Sequence, residues 1–575
     1  MKSKRVFASL LALVLILSLI LTGCGKKEPA QPAGGDTPVA AENTKVVNGI
    51  TMDKEQVLYR RGTEVETFDS AKTSYNSTFR CMAPIFEGLA RVQGTPDGDK
   101  IEPGVAEKWE SNADGTEWTF HLRNNALWSD GVPVKAEDFE YAIKRCLDPK
   151  TASKYAWFLN MFILNGEEFN TGKATIDQVG VKATDEKTLV IKLKNPIPYF
   201  EQMAYFTCLK PQRKDIIEKY GDKYGTEAEQ LVFNGPFILK EWVHDSKLVY
   251  EKNPNYWDKD NVYLDKMVWN MLDESSARMQ ALLTGDYDVS GVSDADWKKK
   301  FDETGYFDVQ KLEAQGIDFL QINLKDKYLK NTKIRQALSA CIDREAYISD
   351  IVKSESIPGY HYVPPVNKIG DEKYQNKAGN PQFAKQLISQ VSDPRALFIE
   401  GLKELGLNPD PAKAEISITM RGSDERTKQE AEWYQQVFRE KIGFNLKIEM
   451  MEWNVAYDKV DKGEFQLFNN GWNADYNDPS TFLDCYAEGG YYADGFNDAE
   501  YNELIKKARL STNNDERTQL FKRAEEILIK DKCVIIPLYS AIDLYYTRNF
   551  IKGLVQPSLG DPDYKGVYTL GRGTK

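Results

Sequence analysis

The chain contains 575 residues, with 75 Lys and Arg against 87 Asp and Glu, and its formal net charge at pH 7 is −12. This acidic balance argues against binding to nucleic acid and against electrostatic attachment to anionic lipid, because both surfaces are polyanionic. The length predicts roughly two to four domains.

The first element along the chain is an export signal. Lys2, Lys4 and Arg5 precede an apolar run at 6–21, which is shorter than the ~20 residues of a transmembrane helix and is typical of a signal peptide. The run leads into Leu-Thr-Gly-Cys at 21–24, which resembles the bacterial lipobox. We therefore expect residues 1–23 to be removed and Cys24 to carry a lipid; the alternative is an uncleaved anchor with an incidental cysteine.

Residues 24–49 are rich in Pro, Gly, Lys, Glu and Ala and show no apolar period. Such a segment buries too little apolar surface to fold alone. We predict a disordered tether that starts at the lipidated Cys24, with folded sequence beginning near Val57.

Short strands and amphipathic helices alternate along the rest of the chain. Alternating apolar runs predict strands at 56–60, 118–122, 189–193, 247–251, 446–450 and 534–538. Helical spacing predicts helices at 139–147, 275–283, 334–341, 431–438, 499–510 and 516–530. Ser275 is a candidate N-cap and Gly285 a candidate C-cap of the second helix. With no internal repeat, this pattern predicts α/β lobes.

Motifs of enzymes and cofactor sites are missing from the sequence. The three histidines, at 121, 244 and 361, lack the common zinc spacings, and no phosphate loop, nucleophile elbow or dinucleotide turn occurs. We expect no metal, no cofactor and no enzymatic activity. A paired-acid glycosidase is the alternative, because acids are plentiful. The six cysteines beyond Cys24 could be buried thiols or disulfides.

Three groups of motifs go beyond periodicity. They are PGVAEKW at 103–109 with WSDGVPVKAEDF at 128–139, NGPF at 234–237 with NPNYW at 253–257, and GWNADYNDP at 471–479. With IRQAL at 334–338 and IDRE at 342–345, they resemble the dipeptide/oligopeptide-binding family, family 5 of the bacterial extracellular solute-binding proteins. The resemblance implies that this chain is a lipoprotein that serves an ABC importer.

The resemblance implies an α/β, two-lobed periplasmic-binding-protein-like fold (type II, cluster C) with an extra inserted domain. Lobe I would combine 50–92, 227–315 and 541–575. The inserted domain II would span 93–226, and lobe III would span 316–540. A chain that crosses between lobes more than once suits closure about a hinge.

The resemblance also implies ligand-binding residues in the last motif. The aspartate of Trp-x-Ala-Asp-Tyr pairs with the peptide α-ammonium in peptide-binding relatives, which assigns that role to Asp475. Trp472 would pack beneath the anchor or line the cleft, and Tyr476 would accompany it. The alternative is a loop aspartate in a turn, because Asp-Tyr-Asn-Asp-Pro is also a good turn sequence.

Three further residues match cleft positions of the family. Trp453 would line a side-chain pocket, with a core tryptophan at a strand end as the alternative. Tyr155 matches a cleft tyrosine of the inserted domain. Asn76 falls on a loop along which the peptide backbone runs, so that its contact would be main-chain.

The carboxylate clamp departs from the family pattern. Relatives of the enteric type carry an arginine and a histidine where this chain has Asn469 and Thr427. Arg421, Arg426 or Lys428 could substitute, or the ligand could be long enough for its C-terminus to leave the cleft.

The expected partners follow from this reading. They are a peptide ligand, the permease of an ABC importer with its ATPases, and the membrane through the lipid on Cys24, with a monomeric, extracytoplasmic body and no nucleic acid. One alternative keeps the family and binds an oligosaccharide or another small solute, since the aromatic run 486–501 could stack on sugar rings. A secreted hydrolase is the other.

Overall fold

The computed structural model describes residues 43–573 except Asp97, Pro198, Asp273 and Asp494. The predicted signal peptide, Cys24 and most of the predicted tether lie outside the described residues. Regular structure begins at Thr44, within the range predicted as tether and before Val57, because residues 44–53 pair as a hairpin.

The strands are, in chain order, β1 Thr44–Val47, β2 Ile50–Asp53, β3 Val57–Gly62, β4 Ala90–Thr95, β5 Gly98–Pro103, β6 Ala106–Ser111, β7 Glu117–Leu122, β8 Val181–Asp185, β9 Thr188–Lys192, β10 Phe237–Val243, β11 Lys247–Lys252, β12 Lys266–Met271, β13 Val289–Gly291, β14 Phe307–Glu313, β15 Gly316–Ile322, β16 Ile357–Pro358, β17 Lys368–Ile369, β18 Glu372–Lys373, β19 Ser417–Arg421, β20 Lys447–Met451, β21 Leu467–Asn473, β22 Ile535–Ser540, β23 Ile542–Arg548, β24 Ile551–Lys552 and β25 Tyr568–Thr569.

The α-helices are α1 Asn76–Met82, α2 Ala136–Leu147, α3 Ala156–Phe162, α4 Gly166–Asn170, α5 Lys214–Tyr220, α6 Ser275–Thr284, α7 Ala295–Thr304, α8 Thr332–Cys341, α9 Arg344–Tyr347, α10 Tyr374–Lys377, α11 Phe383–Gln390, α12 Pro394–Glu404, α13 Glu425–Lys441, α14 Trp453–Asp461, α15 Ser480–Leu483, α16 Ala499–Leu510 and α17 Asn514–Glu526.

A seven-stranded sheet has the order β10-β11-β12-β3-β13-β23-β14. Strand β3 runs parallel to its neighbours β12 and β13, and the other pairs are antiparallel. A four-stranded antiparallel sheet, β6-β7-β9-β8, is built from residues between β3 and β10. Buried side chains of both sheets, such as Trp269 and Phe120, belong to one continuous core.

A six-stranded sheet has the order β16-β22-β15-β21-β19-β20. Its two faces lie in separate cores. Leu320 and Ile536 face one core with α8 and α13, and Phe319 and Ile535 face the other with α16 and α17. Burial on both faces explains why β22 begins with the unbroken apolar run Ile-Ile-Pro-Leu.

Two short crossovers connect the seven-stranded sheet to the six-stranded sheet. One lies between β14 and β15, and the other lies between β22 and β23. The N–H of Ala314 donates a hydrogen bond of 3.0 Å to the carbonyl oxygen of Ala541, so the crossovers run side by side. The two crossover segments are the covalent connections between the two sheets. The space between the sheets, beside these segments, is referred to below as the groove.

Several predicted elements are confirmed with close bounds, including α16 at the predicted 499–510 and α2 over the predicted 139–147. The predicted N-cap of α6 is wrong. Glu274 caps this helix by accepting a hydrogen bond from the N–H of Ala277 at 2.8 Å, and Ser275 is its first residue. Gly285, with φ of 90°, ends it as predicted.

None of the helices within the described ranges is long and apolar enough to cross a membrane. All six cysteines there are buried free thiols: Cys81, Cys146, Cys208, Cys341, Cys485 and Cys533. This settles the choice that the sequence left open.

Candidate ligand-binding site

A cavity of about 160 Å³ lies between the two large sheets, beside the crossovers. Asn76 and Tyr205 line it from the side of the seven- and four-stranded sheets, and Asn473 and Asp475 line it from the end of β21. Gln315, in the first crossover, also lines it. The cavity is therefore lined from both sides of the groove and from the crossovers.

Asp475 is held in this cavity by both sides of the groove. Its N–H donates to Oγ1 of Thr481 at 3.0 Å, within its own loop. From the opposite side, the hydroxyl of Tyr155 donates to Oδ1 at 3.2 Å, and the hydroxyl of Tyr205 donates to the main-chain carbonyl oxygen at 2.7 Å. The residue is 6% exposed.

The second carboxylate oxygen of Asp475, Oδ2, is buried and has no hydrogen-bond partner among the described residues. Burial raises the pKa of Asp475 to about 8, and the hydrogen bond from Tyr155 lowers it by a smaller amount. A buried polar atom without a partner is uncommon and costly. Oδ2 is therefore an unsatisfied acceptor that a hydrogen-bond donor or a cation would satisfy.

Tyr155 is fixed by packing. It precedes α3, its side chain is buried, and its ring lies 5.7 Å from that of Phe79 and 5.2 Å from that of Phe206. This packing restricts rotation of the ring and so holds its hydroxyl within hydrogen-bond distance of the Asp475 carboxylate.

Trp472 is half-buried at the end of β21. Its Nε1 donates to the carbonyl oxygen of Thr481 at 2.9 Å, and its ring lies 6.2 Å from that of Trp157 and 5.8 Å from that of Tyr491. The three rings form an aromatic cluster across the groove. Trp157 was not among the residues predicted to lie at the site.

Tyr476 points away from the cavity of Asp475. It is 2% exposed, and its ring stacks on Tyr199 with centroids 5.5 Å apart and an interplanar angle of 11°. Its hydroxyl is 3.1 Å from Oγ of Ser480. It joins the core of the seven- and four-stranded sheets, so its contacts hold the two sides together.

Trp453 begins α14 and is 40% exposed, so it is not a core residue. It also does not line the cavity that contains Asp475. Its ring lies 4.9 Å from the guanidinium of Arg421 and 5.4 Å from the ring of Tyr457. Tyr457 contacts Tyr75 across the groove at 5.7 Å. Trp453 thus lies beside a second part of the groove.

Arg421 occupies the position next to Asn469, where the carboxylate clamp was in question. Its Nε donates to Oδ1 of Asn469 at 3.3 Å, and its Nη1 donates to the hydroxyl of Tyr457 at 3.2 Å. Its Nη2 pairs with Oδ1 of Asp318 at 2.8 Å. The charge of this arginine is therefore already neutralised within the protein. Arg426 and Lys428 are exposed.

The structure brings Asp475 and Asn76 to one cavity, with Tyr155 bonded to Asp475 and Trp472 nearby. Tyr476 and Trp453 do not line this cavity. Tyr205 was missed, because its contact with Asp475 joins positions 270 residues apart. Throughout residues 43–573, apart from the gaps named above, no group of three or more His, Cys, Asp or Glu side chains is arranged to hold a metal ion.

Comparison with known proteins agrees with this architecture. Residues 100–494 match the family model for bacterial extracellular solute-binding proteins, family 5 middle. The oligopeptide-binding protein OppA of Bacillus subtilis is 31% identical over 567 residues, covering 97% of this chain and 99% of that protein. The substrate-binding domain of an oligopeptide ABC transporter from Bacillus anthracis superposes with a TM-score of 0.81 at 28% identity, covering 90% of this chain and 99% of that structure.

A third relative bears on conformation. The murein tripeptide binding protein MppA of Escherichia coli superposes with a TM-score of 0.80 at 28% identity, and its unliganded open form with a TM-score of 0.60 at 29% identity. The coverage is 90% of this chain in both, and 99% and 98% of those structures. The arrangement described above therefore departs from the open form. The chain belongs to the bacterial extracellular solute-binding proteins of family 5 and has their two-lobed α/β fold.

Proposed function

We propose that this protein captures peptides in the groove around Asp475 and delivers them to an ABC importer. The observation that carries the proposal is the buried carboxylate of Asp475, a residue that lines the cavity and whose Oδ2 has no hydrogen-bond partner among the described residues. The names of the relatives support the same ligand class, since B. subtilis OppA is an oligopeptide-binding protein and MppA a murein tripeptide binding protein.

The α-ammonium of a peptide would satisfy this site chemically. It brings the positive charge and the N–H donors that Oδ2 lacks, and charge-assisted hydrogen bonds are strongest where water is excluded. Each charge alone would be costly to bury, so recognition depends on both being present. This is capture of an N-terminal amine, a known mode of peptide recognition.

The remaining site residues receive complementary roles. Tyr155 would orient the carboxylate, and Asn76 would contribute main-chain contacts to an extended ligand. The cluster around Trp472 would line the path of the following residues, and Trp453 would border a side-chain pocket further along. Main-chain pairing is the same for every peptide and would give broad sequence tolerance. Tyr476 would act by holding the lobes together.

We propose that no charged side chain of the protein binds the C-terminal carboxylate of the peptide. Arg421 is committed to Asp318, Asn469 and Tyr457, so that binding a second carboxylate would require breaking an existing pair. The protein would then accept peptides whose C-terminus extends out of the groove.

The proposed domain boundaries are supported by the sheets. Strands of the seven-stranded sheet fall within 50–92, 227–315 and 541–575, those of the four-stranded sheet within 93–226, and those of the six-stranded sheet within 316–540. The paired crossovers at Ala314 and Ala541 would serve as the hinge between lobe I and lobe III.

We also propose that the mature protein is a monomer held at the extracytoplasmic face of the membrane by a lipid on Cys24, after removal of residues 1–23. The acidic body would gain nothing from anionic lipid, so the covalent anchor would hold it there. It would bind its ligand without chemical turnover and would not bind nucleic acid.

Oligosaccharide binding is the second candidate, favoured by the aromatic cluster of Trp157, Trp472 and Tyr491. A neutral sugar would leave the carboxylate of Asp475 without a countercharge. Thermal unfolding with a peptide pool and with a glycan pool separates the candidates, because a bound ligand raises Tm by mass action. Peptides are expected to raise Tm; a rise with glycans alone would reject the proposal.

A further inference from the structure

Burial of Asp475 depends on the two sides of the groove meeting. Tyr155 and Tyr205, which cover its carboxylate and its carbonyl oxygen, belong to the segment between β3 and β10, whereas Asp475 follows β21. Other contacts accompany these. The hydroxyl of Tyr199 lies 3.0 Å from Oγ of Ser480, and Lys154 Nζ lies 3.5 Å from Oδ2 of Asp461.

No positive charge balances this carboxylate in the described part of the chain. The ionisable groups that face Asp475 are Tyr155, Tyr205, Cys208 and Cys485, none of which is cationic.

Three cations do line the same cavity, but each has another partner. Arg80 pairs with Asp561 at 2.9 Å, and Arg91 pairs with Asp563 at 2.6 Å. Lys210 donates to the carbonyl oxygen of Phe86 at 2.8 Å. None of these three cations is bonded to the carboxylate of Asp475, so the closed arrangement buries this carboxylate without a paired countercharge.

We propose that Asp475 opposes closure of the empty groove, so that the closed arrangement becomes stable only when a cationic amine lies beside Oδ2. This inference rests on the proposed function and adds that only ligands with a cationic amine stabilise the closed arrangement. The contacts that close the groove are available with or without ligand, but the cost of an isolated buried charge opposes them. A ligand amine removes that cost, and a neutral solute leaves it in place.

Protonation provides an independent way to remove the same charge. Because burial raises the pKa of Asp475 in the closed arrangement, proton binding favours closure, and the empty protein should close more as the pH falls. Lys210 and Glu87 also line the cavity, and burial lowers the pKa of Lys210 to about 8 and raises that of Glu87 to about 7. Lys210 donates to the carbonyl oxygen of Phe86, on the same side of the groove as Glu87. The side-chain partners of Glu87, Tyr256 and Trp257, lie with it on the lobe I side, so its titration does not bridge the groove.

The test measures the distance between spin labels at exposed positions on the two sides of the groove, Lys150→Cys and Lys462→Cys, in full-length protein carrying Cys24→Ser. The six native cysteines of the described ranges are buried, so labelling is selective. Bound ligand is first removed by unfolding and refolding. The probes are trialanine and N-acetyltrialanine. Asp475→Asn is compared with Asp371→Asn, which removes an exposed carboxylate elsewhere.

The empty parent protein and Asp371→Asn should show the long distance, and trialanine should shorten it in both, whereas N-acetyltrialanine should not. Empty Asp475→Asn should already populate the short distance, at least about tenfold more than the parent. If Asp475→Asn stays as open as the parent while trialanine closes the parent, this inference is wrong and the proposed function stands. If empty Asp475→Asn closes but trialanine leaves the parent open, the inference is supported and the peptide function is wrong.

A pH series on the parent protein keeps the test decisive if Asp475→Asn fails to fold. Lowering the pH from about 8.5 to about 6 should increase the short-distance population of the empty protein several-fold. A distance distribution that does not change over this range would overturn the inference.

Discussion

The hydroxyl of Tyr155 donates a hydrogen bond to Oδ1 of Asp475 across 320 positions of sequence, while Oδ2 of the same carboxylate has no partner among the described residues. One oxygen is thus fixed in direction and the other is left for the ligand. In the closed arrangement the hydrogen bond from Tyr155 fixes the direction of the carboxylate, while Oδ2 can still gain a strong interaction with the ligand.

Replacing Asp475 by Asn should weaken the binding of free-amine peptides by about 2–4 kcal/mol, because a buried charge pair loses one partner. Isothermal titration calorimetry with trialanine measures the change in Kd. Asp371→Asn, at an exposed position, should leave Kd unchanged. An Asp475→Asn protein with the parent Kd would show that the carboxylate does not meet the amine.

Amidation of the peptide C-terminus should change Kd by less than about threefold, or roughly 0.6 kcal/mol. The reason is that Arg421 is already paired with Asp318 at 2.8 Å, and Asn469 carries no charge. Calorimetry on trialanine and its amide provides the comparison. A loss of tenfold or more on amidation would reveal a carboxylate clamp that we have not assigned.

The pair Arg517–Asp478 should be a major determinant of stability beside the six-stranded sheet. Both side chains are 2% exposed, and Nη2 of Arg517 lies 2.7 Å from Oδ1 of Asp478. Asp478→Asn would strand a buried guanidinium and should lower the free energy of unfolding by roughly 3–5 kcal/mol. Urea unfolding measures the loss.

The double variant Asp478→Asn/Arg517→Gln supplies the control for this pair, because it removes both charges and should recover part of the lost stability. A single variant as stable as the parent protein would contradict the expected cost of the stranded charge.

Glu525 should make the protein less stable as the pH rises. Its carboxylate accepts hydrogen bonds from the N–H groups of Tyr362 and Val363 and has no cationic partner among the residues that the structure describes, and burial raises its pKa from 4.5 to about 7. A raised pKa means that the folded state binds the proton more tightly than the unfolded state. The contribution is therefore fully present below about pH 4.5 and is lost as the pH rises through about 7.

Glu525→Gln tests this assignment, because the amide is neutral at every pH. In urea unfolding, the variant should gain stability relative to the parent at about pH 8 and little at about pH 5, with each unit of pKa shift worth about 1.4 kcal/mol. An equal difference between the two proteins at both pH values would contradict the assignment.

Local sequence pattern predicted many helices and strands, because the spacing of apolar residues in an element such as α16 is visible within a few turns or residues. The family resemblance of the motif at 471–479, and not its local pattern, implied that Asp475 lies in the groove, because the same residues alone would also suit a turn. The capping of α6 was mispredicted because Glu274 takes a role more often filled by Ser or Asp.

The other half of the site could not be predicted in this way. Tyr205 meets the loop of Asp475 only because two sheets close on one another, and no feature of its neighbourhood in sequence marks that contact. The neutralisation of Arg421 by Asp318 has the same origin, since it joins residues 103 positions apart. Charge balance in the groove is a tertiary property and needs the structure.

The most direct test of the central claim is calorimetric titration of ligand-free protein with trialanine and with N-acetyltrialanine, which differ in the amine alone. The account predicts that acetylation weakens binding by at least about thirtyfold, or about 2 kcal/mol, because Oδ2 of Asp475 would again be buried without a cation. Equal values of Kd for the two peptides would contradict it.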